Sequence, residues 1–250
     1  MKIADTLMAS FTMLTRLPFW RLRRIPDACY AAAVEGWPAV GWLTAGVTAG
    51  VLWLCAQLLP ATVAVALALG ARLFLTGAMH EDGLSDFFDG FGGGCSRERT
   101  LEIMKDSRIG AYGVIGLMVY FFVLIPTLAS MPLDILLAAI LSVDPLAKLM
   151  ASQVVNILPY ARPAGESKNG TVYRRMGVSG YMLALPFGLL PAVLFFQPVW
   201  WSAVPVAAAV FGILIGMMYR RIGGYTGDCC GALLLLCELS LYLTICAFTV

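Results

Sequence analysis

Apolar stretches that are each about as long as a membrane-spanning helix recur along the whole chain. A spanning helix needs about 20 mostly apolar residues, because each residue advances a helix by only about 1.5 Å. Short breaks that contain proline separate neighbouring stretches, as at Leu59-Pro60, Met131-Pro132 and Gln197-Pro198. The pattern predicts an all-α, polytopic helical membrane protein with about seven transmembrane helices. These helices are expected at residues 37–59, 61–79, 111–130, 133–158, 178–197, 199–218 and 229–249.

The first 20 residues mix charged with apolar side chains and differ from the stretches that follow. Lys2, Asp5 and Arg16 interrupt the apolar positions, and three arginines lie between residues 21 and 24. A cleaved signal peptide is a poor fit, because its apolar core is uninterrupted and an A-x-A cleavage site should follow. We therefore predict an N-terminal interfacial helix that lies on the membrane surface.

Composition supports the same class. Apolar residues make up 60% of the 250 residues and charged residues only 13%, whereas soluble domains have about 45–50% and about 25%. So few charges would not cover the surface of an ordinary water-soluble enzyme, which is therefore excluded. The formal net charge of +2 is too small to suggest a nucleic-acid-binding protein. We interpret residues 1–250 as one integral-membrane domain.

The positive charges predict the orientation of this domain. Of the 17 Lys and Arg residues, only Arg72 and Lys148 lie within predicted spans. With seven spans, all the others fall on the side that carries the N-terminus, and the opposite loops have none. Positively charged loops remain on the cytoplasmic side. We therefore predict a protein of the cytoplasmic (inner) membrane whose N-terminus lies inside and whose C-terminus lies outside.

The carboxylates are concentrated in one segment, residues 80–110, on the predicted cytoplasmic side. In its run HEDGLSDFFDG, Asp82, Asp86 and Asp89 stand at positions i, i+4 and i+7, which form one stripe of a helix. Like charges at this spacing repel one another, and Phe87 and Phe88 indicate a packed helix rather than a freely solvated one. A merely solvated acidic face is the alternative. Because the donors are oxygens, the stripe favours Mg²⁺ or Mn²⁺ over zinc.

Glycines and cations follow the acidic run. The glycines between residues 90 and 94 permit positive φ and close approach of a phosphate, although a flexible loop has the same composition. In MKDSRIGAYG, Lys105 and Arg108 flank Asp106 just before the third span. Carboxylates, glycines and cations together predict a site for a diphosphate and a metal, since phosphoryl transfer requires mainly positioning and charge neutralisation.

Charges in the other spans extend the candidate site. Arg72 lies about two helical turns before the acidic run and could face the same cavity. Asp144 and Lys148 stand at i and i+4, so that pairing with each other and a role in substrate binding are equally open. The sequence GGYTGD at residues 223–228 places Asp228 at the mouth of the last span, where a simple capping loop is the alternative.

The sequence resembles the cobalamin synthase family. The resemblance rests on LTGAMHEDGLSDFFDGFGGG, RERTLEIMKDSRIGAYG and GGYTGD, and on the N-terminal FTMLTRLPFW. It implies a membrane-embedded cobalamin-5′-phosphate synthase, also called adenosylcobinamide-GDP ribazoletransferase, which uses Mg²⁺. In the implied reaction, α-ribazole or its 5′-phosphate attacks adenosylcobinamide-GDP, GMP leaves, and adenosylcobalamin or its 5′-phosphate forms.

The charges suggest roles within such a reaction. We expect the aspartates of the acidic run to hold Mg²⁺ against the diphosphate, and the cations of MKDSRIGAYG to neutralise the departing GMP. Asp106 is the first candidate to accept the proton of the attacking hydroxyl, with His80 as an alternative. The predicted catalytic residues are Asp82, Asp86, Lys105 and Asp106; the substrate-binding residues are Arg72, His80, Arg97, Arg108, Asp144, Lys148 and Asp228; the metal ligands are Glu81, Asp82, Asp86 and Asp89.

Two other functions remain open at this point. CDP-alcohol phosphotransferases share the D-x2-D-G pattern of Asp86, Asp89 and Gly90, but Gly93 and Gly94 replace their Ala-Arg and their later aspartates are missing. A secondary transporter would also carry charges within its spans, but its acidic residues should lie near the bilayer midplane. The expected partners are the two substrates, the lipid bilayer, a second copy of the chain and other enzymes of nucleotide-loop assembly.

Overall fold

The described part of the chain is helical, as the apolar pattern predicts. A computed structural model describes residues 3–162 and 172–249, which contain no β-strand and one isolated bridge between Tyr160 and Tyr225. Lys2 of the predicted N-terminal helix lies outside the described residues. The α-helices are α1 Ile3–Leu14, α2 Asp27–Tyr30, α3 Trp37–Ala56, α4 Ala61–Thr76, α5 Met79–Gly93, α6 Arg97–Ile103, α7 Ala111–Ala129, α8 Leu133–Ser152, α9 Val154–Ile157, α10 Val178–Phe195, α11 Ala203–Ile222 and α12 Gly227–Ala247.

Six helical segments are long and apolar enough to cross a membrane, and they match six of the seven predicted spans. They are Ala33–Ala56, Ala111–Ala129, Leu133–Ile157, Val178–Phe195, Pro198–Ile222 and Gly227–Ala247. A seventh span is present only if α4 and α5, which are bent by 91° relative to each other, count as one. The predicted class of polytopic helical membrane protein is therefore confirmed.

The predicted second span, residues 61–79, is not one straight helix. Helix α4 has only 16 residues and ends at Gly77 (φ 66°), whose N–H donates to the carbonyl of Leu73. Ala78 (φ 55°) is also left-handed, and α5 begins directly after it. Two successive left-handed residues cannot continue a right-handed helix. The acidic run is therefore redirected onto α5, at a large angle to α4.

Helices α8 and α12 form the centre of the bundle. About 72% of the α8 segment and 67% of α12 are buried within the protein, compared with 22% of α7 and of the α11 segment. Because α12 packs against α5, α7, α8 and α11, its first turn is surrounded by protein on several sides. The outer helices keep exposed apolar faces, which suit contact with lipid.

The N-terminal helix α1 has 12 residues, too few to span a bilayer. It packs on the 3₁₀ turn Ala33–Gly36, where Ser10 Oγ donates to the carbonyl of Ala33 at 2.6 Å. The segment after it exposes Trp20 and Leu22. These features agree with the predicted interfacial helix, which here also covers one end of the bundle.

The glycines at 90–94 do not form the phosphate-binding loop that their composition suggests. Gly90, Gly92 and Gly93 lie within α5, and positive φ among the described glycines occurs only at Gly77 and Gly223. A Cβ at Gly92 would meet the ring of Tyr112 at 2.7 Å. The absence of side chains there lets α5 pack closely against α7, so the expectation of positive φ at these positions is wrong.

Candidate functional site

A cavity of about 970 Å³ lies where the first turns of α5 and α12 meet, and α1, α8 and the segment around Tyr160 close its sides. Its volume is at the upper end of typical small-molecule sites, about 300–1,000 Å³. Two helix N-termini therefore border one cavity, and their free N–H groups favour anionic ligands.

Glycines allow α5 and α12 to approach so closely. A Cβ added to Gly83 would lie 3.0 Å from both Cα and O of Asp228, and one added to Gly231 would lie 2.7 Å from the carbonyl oxygen of His80. Any larger residue would push the two backbones apart. The reciprocal contacts hold His80, Asp82 and Asp228 at one place, although α5 and α12 are far apart in the sequence.

Backbone hydrogen bonds hold the loop around Tyr160 against the loop around Tyr225 and so fix another wall of the cavity. Ala161 N–H donates to the carbonyl of Tyr225 at 2.8 Å, and Tyr225 N–H donates to that of Pro159 at 2.9 Å. Thr226 then caps α12 by accepting from Cys229 N–H at 3.3 Å. The GGYTGD sequence therefore does form a helix cap, as the alternative prediction holds, and it also anchors the loop that carries Arg162 to the cavity.

Three of the predicted site residues at these helix starts line the cavity: His80, Asp82 and Asp228. Asp82 is exposed, and its carboxylate makes no ion pair with a described residue. Asp228 is largely buried, at 9% exposure. Two carboxylates and an imidazole therefore face the same space, which provides hard oxygen ligands and a proton acceptor.

The other three predicted metal ligands do not line the cavity. Asp89 accepts hydrogen bonds from Gly110 N–H at 2.7 Å and Gly113 N–H at 2.8 Å, so it caps the start of α7. Glu81 is buried, with its carboxylate 3.8 Å from the Arg72 guanidinium. Asp86 is half-buried one turn beyond Asp82. The stripe exists on α5 as predicted, but its members have different surroundings.

In residues 3–162 and 172–249, no group of three or more His, Cys, Asp or Glu side chains is close enough to hold one metal ion. The convergence of Asp82, Asp86 and Asp89 that their spacing suggests is therefore absent. A magnesium site does not require it, because Mg²⁺ commonly binds one or two carboxylates together with substrate phosphates and water. Asp82 and Asp228 both line the cavity and are the candidate carboxylates for such a site. Magnesium itself stays a prediction.

Lys105, Asp106 and Arg108 lie on the loop between α6 and α7 and do not line the cavity. Arg108 donates to both oxygens of Asp106, at 3.1 Å from Nε and 2.7 Å from Nη2. These hydrogen bonds lower the pKa of Asp106 to about 2. A carboxylate with this pKa is a weak base near neutral pH, which argues against Asp106 as the proton acceptor.

Arg97, another predicted substrate ligand, donates hydrogen bonds to backbone carbonyls. Its Nε donates to the carbonyl of Ile222 at 2.9 Å, and its Nη2 donates to that of Ala161 at 2.7 Å. It therefore ties α6 to the end of α11 and to the loop beside the cavity, outside the cavity wall.

The two cations within the bundle are paired. Arg72 Nη1 lies 2.5 Å from Glu238 Oε1, and Arg72 is not among the cavity residues. Lys148 pairs with Asp144, whose Oδ2 accepts from Thr44 Oγ1 at 2.5 Å. Lys148 also lines the cavity. The pairing of Asp144 with Lys148 is therefore present, and Lys148 is the member that reaches the candidate site.

Several cavity residues were missed by the sequence analysis. Arg162 is only 7% exposed, and its Nη2 has no hydrogen-bond partner among the described residues. Arg16 lies at the opposite end of the sequence, on the segment after α1. Aromatic residues complete this part, with Trp37 and Tyr173 edge-to-face at 5.3 Å. Arg162 belongs to none of the motifs, and Arg16 stands in FTMLTRLPFW, but neither was predicted as a site residue.

Comparison with known proteins identifies relatives over most of the chain. A family model described as cobalamin-5-phosphate synthase matches residues 6–246. An adenosylcobinamide-GDP ribazoletransferase of Leptothrix cholodnii is 37% identical over 91% of this chain and 88% of its own length. Proteins of the same name from Ralstonia pickettii (39%; 87% and 85%) and a Shewanella species (33%; 98% and 94%) are also similar. No solved structure matches.

Proposed function

The chain belongs to the cobalamin-5-phosphate synthase family, and on that premise we propose that it is an adenosylcobinamide-GDP ribazoletransferase. A hydroxyl of α-ribazole or of its 5′-phosphate attacks the phosphorus that carries cobinamide. The bond from this phosphorus to GMP breaks, and the hydroxyl proton is lost. The products are GMP and adenosylcobalamin or its 5′-phosphate.

The observation that carries this proposal is the meeting of two distant motifs in one cavity. Asp82 belongs to the acidic run and Asp228 to GGYTGD, yet both line the same 970 Å³ space with His80. The N-termini of α5 and α12 border it and favour phosphate oxygens. A cavity with carboxylates, cations and aromatic walls suits the reacting ends of a diphosphate substrate and a nucleoside or nucleotide.

Asp82 and Asp228 would hold the Mg²⁺ that the family implies. Their hard oxygen donors fit this ion, and the exposed Asp82 is accessible from the cavity. When bound, Mg²⁺ neutralises negative charge on a diphosphate.

The chain's own groups position the reactants and remove the proton. His80 lies in the cavity beside Asp82, and a neutral imidazole has a ring nitrogen that can accept a proton. We assign it the proton of the attacking hydroxyl. Lys148 lies in the cavity wall and is held by Asp144 and Thr44, so it adds positive charge at a fixed position.

The cavity end of the bundle is proposed to face the cytoplasm, within the inner membrane. The loops at the other end, residues 57–60 and 131–132 and the turn at 196–197, contain no Lys or Arg, whereas the arginines at 16–24, 97–108 and 220–221 lie toward the cavity end. This distribution follows the positive-inside rule. A reporter fused after residue 58 should report the outside of the inner membrane and one fused after residue 96 the cytoplasm. The reverse assignment, or the same side for both, would contradict the orientation.

The proposal is tested with purified protein in detergent, adenosylcobinamide-GDP, α-ribazole and Mg²⁺. GMP and the cobalamin product should appear in equal amounts, and excess EDTA should stop the reaction until Mg²⁺ is restored. Full turnover in EDTA would contradict the magnesium proposal. Release of CMP from a CDP-lipid would favour a lipid head-group transferase, and uptake of unchanged substrate into sealed vesicles would favour a transporter.

A further inference from the structure

Arg162 is a buried cation without a protein counterion in the part of the chain that the structure describes. It is 7% exposed, its Nη2 has no hydrogen-bond partner there, and it lines the cavity. A buried charged donor without a partner is unfavourable. Such a group is expected to meet its counterion in a ligand, and guanidinium groups fit phosphate oxygens especially well.

A second arginine borders the same cavity. Arg16 is exposed to it, and its guanidinium makes no ion pair with a residue in 3–162 or 172–249. Its backbone N–H donates to the carbonyl of Leu75 at 2.8 Å, which fixes this segment against the end of α4. Lys148, by contrast, already pairs with Asp144. Among the described Lys and Arg residues that line the cavity, the two arginines are therefore those that remain available to an anionic ligand.

The wall beside Arg162 is aromatic. Tyr160 precedes it on the loop that is bonded to Tyr225, and its ring lies 5.5 Å from that of Tyr225, edge to face. Trp37 and Tyr173 form a second such pair in the same cavity. Burial raises the pKa of Tyr173, so its phenol remains neutral. Flat rings next to a guanidinium suit a nucleotide, whose base stacks while its phosphate is bound.

Two substrates must meet in the cavity if the proposed function holds, and the attacking one also brings a phosphate when it is α-ribazole 5′-phosphate. Carboxylates repel phosphate unless a metal lies between them, so the diphosphate belongs with Asp82 and Asp228. Arginine binds a phosphate directly and needs no metal. Arg162 and Arg16 line the same cavity and form no ion pair with a described carboxylate, so they are available to the phosphate of the other substrate.

We infer that Arg162, assisted by Arg16, binds the 5′-phosphate of the incoming nucleotide and makes the enzyme prefer α-ribazole 5′-phosphate to α-ribazole. This inference rests on the proposed function and deepens it, because it assigns the phosphate monoester of the attacking substrate to named residues. Arg162 is a specificity residue in this account and does not touch the reacting phosphorus.

Steady-state kinetics with α-ribazole 5′-phosphate and with α-ribazole test the inference. The measured quantity is the ratio of kcat/KM for α-ribazole 5′-phosphate to that for α-ribazole. Loss of a charge-assisted contact should lower this ratio by about ten- to a hundred-fold in Arg162→Gln, whereas Arg162→Lys should lower it less. Arg175→Gln removes an exposed cation outside the cavity, so its ratio should equal that of the wild type.

A binding measurement supplies a second readout and does not depend on turnover. In excess EDTA, α-ribazole 5′-phosphate should raise the melting temperature of the wild type and of Arg175→Gln, but not that of Arg162→Gln. If Arg162→Gln does not fold, Arg162→Lys replaces it in this measurement and should be stabilised less than the wild type.

Other outcomes separate the two proposals. An unchanged ratio in both Arg162 variants, a rise in KM for adenosylcobinamide-GDP alone, or no stabilisation of the wild type in EDTA would overturn the inference. If the wild type released no GMP with α-ribazole or with its 5′-phosphate, the proposed function itself would be wrong.

Discussion

The contact between α5 and α12 gives the sharpest structural prediction. In Gly231→Ala, the new Cβ would lie 2.7 Å from the backbone carbonyl oxygen of His80. Ordinary contact between such atoms is about 3.4 Å, so the helices must separate by roughly 0.7 Å. Overpacking of this kind costs about 1–3 kcal/mol. Because the same turn carries His80 and is followed by Asp82, the separation also displaces the proposed active site.

Catalysis should suffer more than folding. A displacement of about 1 Å can reduce turnover by about a hundred-fold. The assay is the initial rate of GMP release in detergent, together with the melting temperature of each variant. We expect Gly231→Ala to lose at least about ten-fold in rate, with a smaller loss in Gly83→Ala, where the tightest contacts are 3.0 Å.

Gly216→Ala on α11 is the matched control, since a Cβ there would meet nothing within 4 Å. It removes the flexibility of a helical glycine and should leave stability unchanged or raise it by about 0.5–1 kcal/mol. Wild-type rate and melting temperature in Gly231→Ala would refute the close packing of α5 on α12 as the device that assembles the cavity.

Two further predictions concern the region between α5 and α7. Asp89→Ala removes the acceptor of the Gly110 and Gly113 amides and should destabilise the protein by about 1–2 kcal/mol; an unchanged melting temperature would contradict the capping role. The hydrogen bonds from Arg108 lower the pKa of Asp106 to about 2, so Asp106 is ionised throughout the neutral range. The contribution of this pair to folding stability is therefore fully present above the usual pKa of an aspartate and is lost only as the pH falls toward 2. Asp106→Asn should therefore leave the limbs of the pH–rate profile between about pH 5 and 9 in place, and the disappearance of a limb would restore Asp106 as the base.

The number and positions of most spans could be predicted from the sequence because a bilayer sets the length of a helix. The break between α4 and α5 could not, because residues 61–79 are mostly apolar, with Arg72 as their single charge, and contain no proline after Pro60. The left-handed pair Gly77 and Ala78 depends on how α5 packs against α12. Hydropathy alone does not carry that information.

The site was predicted in part for a similar reason. His80, Asp82, Lys148 and Asp228 line the cavity, and each stands at the start of a helix or within a span where a charge is conspicuous. Lys105 and Arg108 are close to the acidic run in sequence but not in space. Helix α5 has 15 residues and so extends about 20 Å, which separates its first turn from the α6–α7 loop.

Arg16 and Arg162 are the reverse case: they line the cavity but were not predicted as site residues. They come from segments far apart in the sequence, and only the fold brings them to one cavity. Their lack of described counterions is also a property of the folded chain. A buried, unpaired guanidinium is visible only once its neighbours are known.

The most direct test of the central claim, that the cavity bordered by Asp82 and Asp228 is where transfer occurs, is the rate of GMP release by Asp82→Asn and Asp228→Asn. The control is Asp134→Asn, an exposed aspartate at the first turn of α8 and outside the cavity. We predict a loss of at least about a hundred-fold in both cavity variants, with melting temperatures close to wild type and full activity in the control. Wild-type rates in folded Asp82→Asn and Asp228→Asn would contradict the assignment.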